Sequence, residues 1–161
     1  MTNKKNKSDK SKNQSITIEN RKAWHDFHIE DSITCGIALT GTEIKSIRSG
    51  KAQLKDSFVK IEKGEMWLYN CHISPYQFGN RFNHTPLRKR KLLLHTKEIL
   101  KLYQKTKEKN LVLVPLKIFF SRNWAKVEVA LAKGKKVYDK REAIKKKELQ
   151  RDIKAVKSKY I

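Results

Sequence analysis

Short runs in which apolar and polar residues alternate fill the middle of the chain. Two of them, Ser57–Glu62 and Glu65–Asn70, are separated only by Lys63-Gly64, and this arrangement predicts a β-hairpin. A second hairpin is predicted around the turn Ser121-Arg122-Asn123. The other stretches assigned to strands are Ser15–Glu19, Gly36–Leu39, Leu92–Leu94, Leu111–Phe120 and Trp124–Ala130, and Trp24–Ile29 has a mixed pattern.

The hydrophobic period changes to that of a helix in two places. Thr42–Ser49 has Ile44 and Ile47 three residues apart, with Thr42 as the expected N-cap and Gly50 as the stop. The strands and helices together predict a mainly β domain, a small closed antiparallel barrel of about six strands, because closure removes exposed strand edges. The second helix is Thr96–Glu108, and the apolar residues on one of its sides are Ile99, Leu100, Leu102 and Tyr103.

The large positive charge of the chain indicates what kind of partner it binds. The chain of 161 residues has 38 Lys and Arg against 16 Asp and Glu, a net charge of +22. Such a field suits a polyanion, and nucleic acid is the leading class, with an anionic membrane surface as the alternative. No stretch approaches the roughly 18 apolar residues of a membrane span, and no apolar signal segment follows the N-terminal lysines. The two cysteines lack CxxC spacing, so a cytoplasmic protein is expected.

The charge and the aromatic residues divide the chain into three parts. Residues 1–15 hold five lysines, one aspartate and a single apolar residue, Met1, and are predicted to be a disordered basic arm. Residues 16–137 hold nearly all the aromatic residues and are predicted to be the barrel domain. Residues 138–161 form a basic tail.

The tail has one thin apolar stripe, made by Leu149, Ile153, Val156 and Tyr160 at helical spacing. This stripe is too small to hold a helix in water without a partner. Three alternatives are therefore open for the tail: it docks on the barrel, lies on a membrane surface, or folds against RNA. We favour RNA, because the tail is rich in cations.

Three polar segments are candidates for RNA contact. The loop Gly79–Pro86 offers Asn, Arg and His side chains, with Phe82 as a stacking face. Arg88-Lys89-Arg90-Lys91 enters a strand as four cations that repel one another unless something anionic is near. Lys133-Gly134-Lys135-Lys136 follows the last strand and suits an RNA backbone. The alternatives are an ordinary polar loop and solvated basic turns.

The sequence gives no strong signal for catalysis or for a metal. His25 and His28 are three residues apart, which fits neither HExxH nor a zinc finger. A GxSxG elbow and a complete phosphate loop are both missing from the sequence. We expect no metal, no cofactor and no enzymatic activity, and a ribonuclease that uses His and Lys is kept as an alternative.

The motifs, taken in order, resemble one family, the SsrA-binding protein or small protein B of bacterial trans-translation. The resemblance covers residues 18 to about 145 and is specific because so many matches occur in order. The matching stretches are Asn20–Ala23 (NRKA), Leu39–Ser46 (LTGTEIKS), Gly50–Ala52 (GKA), His72–Tyr76 (HISPY), Gly79–His84 (GNRFNH), Arg90–Leu94 (RKLLL), Leu113–Leu116 (LVPL), Ala132–Lys136 (AKGKK) and Asp139–Arg141 (DKR).

This resemblance implies an OB-like β-barrel with two or three helices and a non-catalytic adaptor. It implies binding to the tRNA-like domain of transfer-messenger RNA, with the barrel in place of the missing anticodon arm. It also implies that the tail enters the decoding centre and empty mRNA channel of the small subunit of a stalled ribosome and becomes helical there. Elongation factor Tu and alanyl-tRNA synthetase are implied as indirect partners through the shared RNA.

The resemblance, taken together with the basic segments and the apolar stripe of the tail described above, gives two sets of expected functional residues. Leu93 is expected to support the RNA-facing surface by packing. The residues expected in or beside that surface are Asn20, Lys22, Trp24, Lys45, Asn80, Arg81, Asn83, His84, Arg88, Arg90, Lys91, Leu93, Lys133, Lys135 and Lys136. Those expected in the ribosome-binding tail are Tyr138, Asp139, Lys140, Arg141, Lys145, Leu149, Ile153 and Val156.

Three positions depart from the family pattern. Trp24 stands where a cation is usual, and we expect it to pack on the barrel, with stacking on a base as the alternative. Thr34 stands where the family often has Glu, which removes any role of that carboxylate. Tyr138 replaces a frequent His, which keeps stacking but not an imidazole charge. The competing functions are a small RNA-processing enzyme and a ribosome-assembly or nucleoid protein.

Overall fold

The computed structural model describes residues 16–159, which form nine β-strands and four α-helices. The predicted disordered arm, residues 1–15, lies outside the described residues. The strands are β1 Thr17–Glu19, β2 Phe27–Ile37, β3 Ala52–Gln53, β4 Phe58–Glu62, β5 Glu65–Tyr69, β6 His72–Ile73, β7 Arg90–Leu93, β8 Val112–Ser121 and β9 Trp124–Gly134. The α-helices are α1 Arg21–Asp26, α2 Gly41–Arg48, α3 Thr96–Glu108 and α4 Val137–Lys159, and a short 3-10 helix covers Asn80–Phe82.

Six strands close into a ring in the order β8, β4, β5, β7, β2 and β9, and β9 pairs again with β8. Every pairing in the ring is antiparallel. Val59 of β4 lies opposite Leu113 of β8, and this pairing closes the ring. β1 lies along the other half of β8, and β3 pairs with β6 in a separate small sheet. The prediction of a closed antiparallel barrel of about six strands is confirmed.

Both predicted hairpins are present. The turn between β4 and β5 has positive φ at Lys63 (50°) and at Gly64 (76°), the backbone that a tight hairpin needs. The N-cap predicted for α2 was wrong by two residues. Thr40, in an extended conformation, caps the helix, and its amide donates to the Glu43 carboxylate at 2.8 Å.

One long strand replaces the two short stretches expected near the N-terminus. Residues 21–26 form α1, and β2 then runs without interruption from Phe27 to Ile37. The pattern of Trp24–Ile29 is mixed because residues 24–26 end α1 and residues 27–29 begin β2, and a register shift follows between Ile29 and Asp31. Phe27 and Ile29 pack on an outer cluster, whereas Cys35 and Ile37 lie in the barrel core.

The barrel buries two separate apolar clusters. The larger cluster fills the interior and includes Met66, Leu68 and Ile118, each with no exposed surface. The smaller cluster lies where Ala23 of α1 packs against Val114, Leu116, Ala130 and Ala132. Of the four apolar residues predicted on one side of α3, Ile99 and Leu102 are buried, whereas Leu100 and Tyr103 are 56% and 43% exposed.

The chain leaves the barrel at β9 and continues as α4. Among the residues that the structure describes, one ion pair joins α4 to α1, between Lys140 Nζ and an Asp26 carboxylate oxygen at 3.4 Å. Leu149 and Ile153, two residues of the predicted stripe, are 61% and 46% exposed. The helix is therefore present, but its folding only on a partner stays a prediction. Within residues 16–159, none of the helices is long and apolar enough to cross a membrane.

Candidate RNA interface

Helix α1 and the end of β9 bring several of the expected residues together. The backbone amide of Lys135 donates to Asp26 at 2.9 Å, and its ammonium group donates to the carbonyl of Trp24 at 3.3 Å. Lys22 and Trp24 are exposed on α1, while Lys133 and Lys136 are exposed beside it. This surface combines these four lysines with one aromatic ring, which is the composition that RNA-binding surfaces use.

Trp24 does not pack on the barrel, so that expectation was wrong. Its side chain is 59% exposed, because Ala23, its neighbour on α1, is the residue that turns toward the barrel. A short helix over a small cluster has room for only one buried position on that side. The exposed ring leaves base stacking as the open role for Trp24.

Asn20 was expected to face RNA, but it lies inside the fold. It is 5% exposed, its side-chain amide donates to the carbonyl of Pro115 at 2.9 Å, and its side-chain oxygen accepts from the amide of Ala23 at 3.3 Å. These contacts cap α1 and attach it to β8. Asn20 therefore positions α1 and has little surface to offer RNA.

Two of the expected lysines are ion-paired in the free protein. Lys22 Nζ lies 2.6 Å from Asp56, and this hydrogen bond raises the pKa of Lys22 and lowers that of Asp56. Lys91 Nζ lies 2.6 Å from Glu65 on the outside of the barrel. Exposed ion pairs contribute little to stability. A phosphate can therefore replace either carboxylate without a large loss.

Strand alternation separates the four cations that enter β7. Arg90 and Leu92 point into the barrel, whereas Lys91 is partly exposed and Leu93 is 50% exposed. Arg90 has no exposed surface, so the expectation that it faces RNA was wrong. The physical reason is register: Arg90 shares a face with the core residue Leu92. Leu93 packs against Gly36, where an added Cβ would lie 3.3 Å from Leu93 Cβ.

A buried carboxylate explains how Arg90 can occupy the interior. Glu43 of α2 has no exposed surface and accepts from Arg90 Nε at 2.7 Å. Arg88 donates to the same carboxylate twice, from Nε at 2.7 Å and from Nη2 at 2.6 Å. Arg90 also donates to the carbonyls of Cys71, Pro86 and Arg88. We call Glu43, Arg88 and Arg90 the buried charge triad.

The charge state of Glu43 follows from these contacts. Burial alone would raise the pKa of the Glu43 carboxyl, but hydrogen bonds from Arg88, the Thr40 amide and Arg90 lower it to about 2. Sequence reasoning included Glu43 in a family motif but gave it no role. The signal that identifies it is the spacing Thr40-x-x-Glu43, which is that of a capping box.

The loop between β6 and β7 is held by its own side chains. Asn83 bonds the backbone of Tyr76 twice, accepting from its amide at 2.8 Å and donating to its carbonyl at 2.7 Å. At Gly79 any Cβ would meet the Asn83 side chain at 2.7 Å, so the loop requires glycine there. Asn83 thus orders the loop, and Asn80 and Arg81, near the middle of the loop, are exposed.

His84 was expected to contact RNA, but it is 9% exposed. Its Nε2 lies 2.9 Å from the carbonyl of Ile73 and must donate, because a carbonyl only accepts. Its Nδ1 lies 2.9 Å from the hydroxyl of Thr42 on α2. His84 therefore joins the β6–β7 loop to α2 and holds the exposed part of the loop in place through these two hydrogen bonds.

Exposed aromatic rings with cations beside them lie along the same loop. Phe82 is 78% exposed with the Arg81 guanidinium 5.0 Å from its ring centre. Lys45 of α2 lies 5.2 Å from the ring of Tyr76, whose edge contacts Phe78. Phe78 is 73% exposed and sequence reasoning missed it. The available signal was an aromatic residue in a polar loop between Pro75 and Gly79.

The tail residues divide into those near the barrel and those beyond it. Asp139 and Lys140 are partly buried beside α1, whereas Arg141 and Lys145 are exposed. The side chains of Tyr138 and Val156 lie outside the described residues. In the part of the chain that the structure describes, no three His, Cys, Asp or Glu side chains converge as a metal site would require.

Comparisons with known proteins agree on one family. A family model for the SmpB protein matches residues 17–159. The SsrA-binding protein of Carboxydothermus hydrogenoformans is 59% identical over 148 residues, which cover 91% of this chain and 99% of the relative. The SsrA-binding protein of Staphylococcus epidermidis RP62A is 57% identical over 152 residues, 94% of this chain and 97% of the relative.

A solved structure adds a likeness in three dimensions. It is described as "tmRNA-SmpB: a journey to the center of the bacterial ribosome". Its chain is 48% identical to this one, with a TM-score of 0.66 over 80% of this chain and 94% of that chain.

Proposed function

This chain belongs to the SmpB protein family, and from that premise we propose that it is an RNA-binding adaptor that delivers transfer-messenger RNA to stalled ribosomes. The observation that carries this conclusion is the family match, which spans residues 17–159 and so includes both the barrel and α4. The relatives named SsrA-binding protein and the solved structure named for tmRNA and the ribosome support the same partners.

The barrel is the part that we assign to the tRNA-like domain of this RNA. Its exposed candidates are Lys22 and Trp24 on α1, Lys45 on α2, and Arg81 in the loop. Folded RNA is recognised by shape, by phosphate contacts and by stacking, and a preformed surface with spaced cations and rings suits all three. The buried residues Asn20, His84 and Arg90 and the partly buried Asn83 hold that surface in place, and in this proposal they act through packing and hydrogen bonds.

The tail is the part that we assign to the ribosome. Helix α4 carries cations on all sides, and its described residues Ile144, Leu149 and Ile153 are exposed, which fits a partner that supplies both phosphates and bases. In this proposal it occupies the decoding centre and the empty mRNA channel of the small subunit. Elongation factor Tu and alanyl-tRNA synthetase meet the protein only through the RNA that they share.

The proposed role is binding and delivery, with no chemical step by the protein. An adaptor on ribosomes works in the cytoplasm, where translation takes place. The competing enzyme hypothesis predicts turnover of labelled RNA without added metal. Intact RNA after prolonged incubation with excess protein supports the adaptor.

Binding to the isolated tRNA-like domain tests the proposal. We expect the chain to prefer this RNA to a plain duplex of equal length, and its affinity to fall steeply between about 50 and about 200 mM salt, because phosphate contacts release counterions. Lys91→Ala should weaken binding by loss of a cation, and Asn83→Ala by loosening the loop at Tyr76. Lys97→Ala, an exposed lysine on α3, is the matched control.

Two results would contradict this assignment. One is equal affinity for the tRNA-like domain and the duplex, which would favour a general nucleic-acid binder. The other is unchanged binding of both Lys91→Ala and Asn83→Ala, which would place the RNA on another face of the barrel. Circular dichroism on each variant establishes that the barrel is folded before affinities are compared.

A further inference from the structure

The buried charge triad leaves one guanidinium edge free. Arg88 donates from Nε and Nη2 to Glu43, and its Nη1 makes a long contact of 3.4 Å to the carbonyl of Lys89. A guanidinium has five N–H groups. These contacts use three of them, so one N–H on Nη1 and one on Nη2 have no partner among the described residues.

The free donors belong to Nη1 and Nη2, the two nitrogens that stand side by side at the end of the guanidinium. A pair of parallel N–H donors matches two oxygens of one phosphate or carboxylate. Arg88 is also the one member of the triad that reaches solvent, because its side chain is 35% exposed whereas those of Glu43 and Arg90 are 0% exposed. The free edge is therefore available to a ligand from outside.

The charge of the triad favours an anion at that edge. Two guanidinium groups share one carboxylate, which leaves an excess of one positive charge in a site largely removed from water. Arg90 cannot bind that anion, because its donors already bind Glu43 and three backbone carbonyls. Arg88 is therefore the member of the triad that can bind an anion.

We propose that Arg88 binds one RNA phosphate through its Nη1 and Nη2 edge, and that Glu43 is the positioning residue that fixes this edge outward. This inference rests on the proposed function and names the contact that the loop side of the barrel makes. The ligand is a backbone phosphate of the bound RNA, a contact that sets the register of the complex without reading a base.

Glu43 can hold the Arg88 guanidinium in one orientation because its own carboxylate is fixed in place. It sits in the first turn of α2, and the amide of Thr40 holds one of its oxygens at 2.8 Å. His84 joins the same helix to the loop, through Thr42 at 2.9 Å. Arg88 is thus fixed from a rigid helix rather than from a loop, so its orientation is set before RNA arrives.

Glu43→Gln gives a test whose sign separates two explanations. The substitution raises the net charge by one, so electrostatics alone predicts tighter binding to RNA. Positioning predicts the opposite: the affinity of the full-length chain for the tRNA-like domain of transfer-messenger RNA falls by about tenfold, because Arg88 loses its anchor.

Arg88→Gln tests the contact itself and keeps the Glu43–Arg90 pair intact, so the fold is retained. We expect a loss of about tenfold in affinity and a salt-dependence slope reduced by about one. Arg88→Lys keeps the charge but has no planar edge, so its slope should stay near that of the parent while its affinity falls. Arg122→Gln, in the β8–β9 turn, removes one exposed arginine elsewhere and is the control.

The double variant Glu43→Gln/Arg88→Gln completes a double-mutant cycle with the two single variants. If Glu43 acts through Arg88, the double variant binds no more weakly than Arg88→Gln alone. Additive losses would show that Glu43 serves only the general fold and would overturn the positioning role. Unchanged affinity and slope in Arg88→Gln would overturn the phosphate contact while the parent still prefers the tRNA-like domain, which keeps this failure distinct from failure of the proposed function.

Discussion

Two basic regions of this protein hold their charges in opposite ways. Around β7, Arg88 and Arg90 meet a carboxylate that has no exposed surface, and every contact is fixed by the barrel. Along α4 the described cations from Arg141 to Lys154 are exposed, and one ion pair among the described residues, Lys140 to Asp26, joins the helix to the rest of the molecule. The sign of the charge is the same, but the surroundings differ.

This difference decides when the entropy of ordering is lost. Side chains in the buried charge triad lose their freedom when the barrel folds, so a ligand meets a prepared surface. The described side chains of α4 from Arg141 to Lys154 are mostly exposed, so in the proposed complex the partner would supply the energy of ordering them. The barrel is thus suited to one shaped RNA, and the tail to a channel that provides many contacts.

The largest expected effect comes from removing the tail. A chain that ends at Val137 should bind transfer-messenger RNA nearly as tightly as the full chain, because the candidate residues of the barrel remain. It should support almost no tagging on stalled ribosomes in a reconstituted translation assay. Tagging at the level of the full chain would break the division of labour between the two regions, and so would a loss of RNA binding as large as that of the barrel variants.

The next effect concerns the acid stability of the triad. The folded pKa of Glu43 is lowered from 4.5 to about 2, so its contribution to stability is complete above about pH 4.5 and is lost as the pH falls to about 2. This gap corresponds to roughly 3 kcal/mol. Urea unfolding should therefore show Glu43→Gln less stable than the parent by about 3 kcal/mol at pH 7, with the difference shrinking toward zero as the pH falls from about 4.5 to about 2.

A matched exposed carboxylate sharpens that result. Glu148→Gln on α4 should change the free energy of unfolding by less than about 0.5 kcal/mol at either pH. A difference between the parent and Glu43→Gln that does not depend on pH would mean that Glu43 acts through packing and not through its charge.

A smaller effect distinguishes the two roles of Trp24. Because the ring is 59% exposed, Trp24→Ala should change the free energy of unfolding by less than about 1 kcal/mol. If the ring stacks on a base, the same change should weaken RNA binding by about 1–3 kcal/mol. Trp124→Ala, which removes a 75% exposed ring at the β8–β9 turn, is the control and should leave binding unchanged. A large loss of stability in Trp24→Ala would restore the packing role.

The smallest effect is expected at the contact between the two regions. His25 and then Lys140 lower the pKa of Asp26, but the ion pair of Asp26 with Lys140 is partly exposed. Lys140→Gln should therefore change the free energy of unfolding by less than about 0.5 kcal/mol in thermal unfolding. A change of several kcal/mol would show that α4 is docked on the barrel as part of one cooperative unit.

Local patterns in the sequence were sufficient for most of the barrel. The hairpin at Lys63-Gly64 and helix α3 follow from turn chemistry and from apolar spacing, both of which depend on neighbours along the chain. Strand β2 was missed as one element because a register shift moves its apolar residues from the outer cluster at Ile29 to the core at Cys35. A shift of this kind depends on the partner strand, which a single sequence does not display.

The candidate interface shows the same limit in its side chains. Composition and motif order identified the loop, the β7 entry and the β9 exit as basic segments, and the structure brings the β9 exit to α1. They did not separate Arg88 from Arg90, two residues apart and identical in chemistry. Phe78 was missed for the related reason that phenylalanine is usually buried, and the sequence alone does not show which loop residues stay exposed.

The sequence alone determined the class of partner, the closed barrel and the helical spacing of the tail, because charge and hydrophobic period are properties of the chain itself. Only the tertiary structure decided which cations remain available to RNA. Arg90 faces the core because β7 pairs in that register, and a carboxylate 47 positions earlier in the chain meets it there. Whether a charged side chain serves the fold or a ligand depends on which long-range neighbour removes it from water, and that neighbour is set by folding.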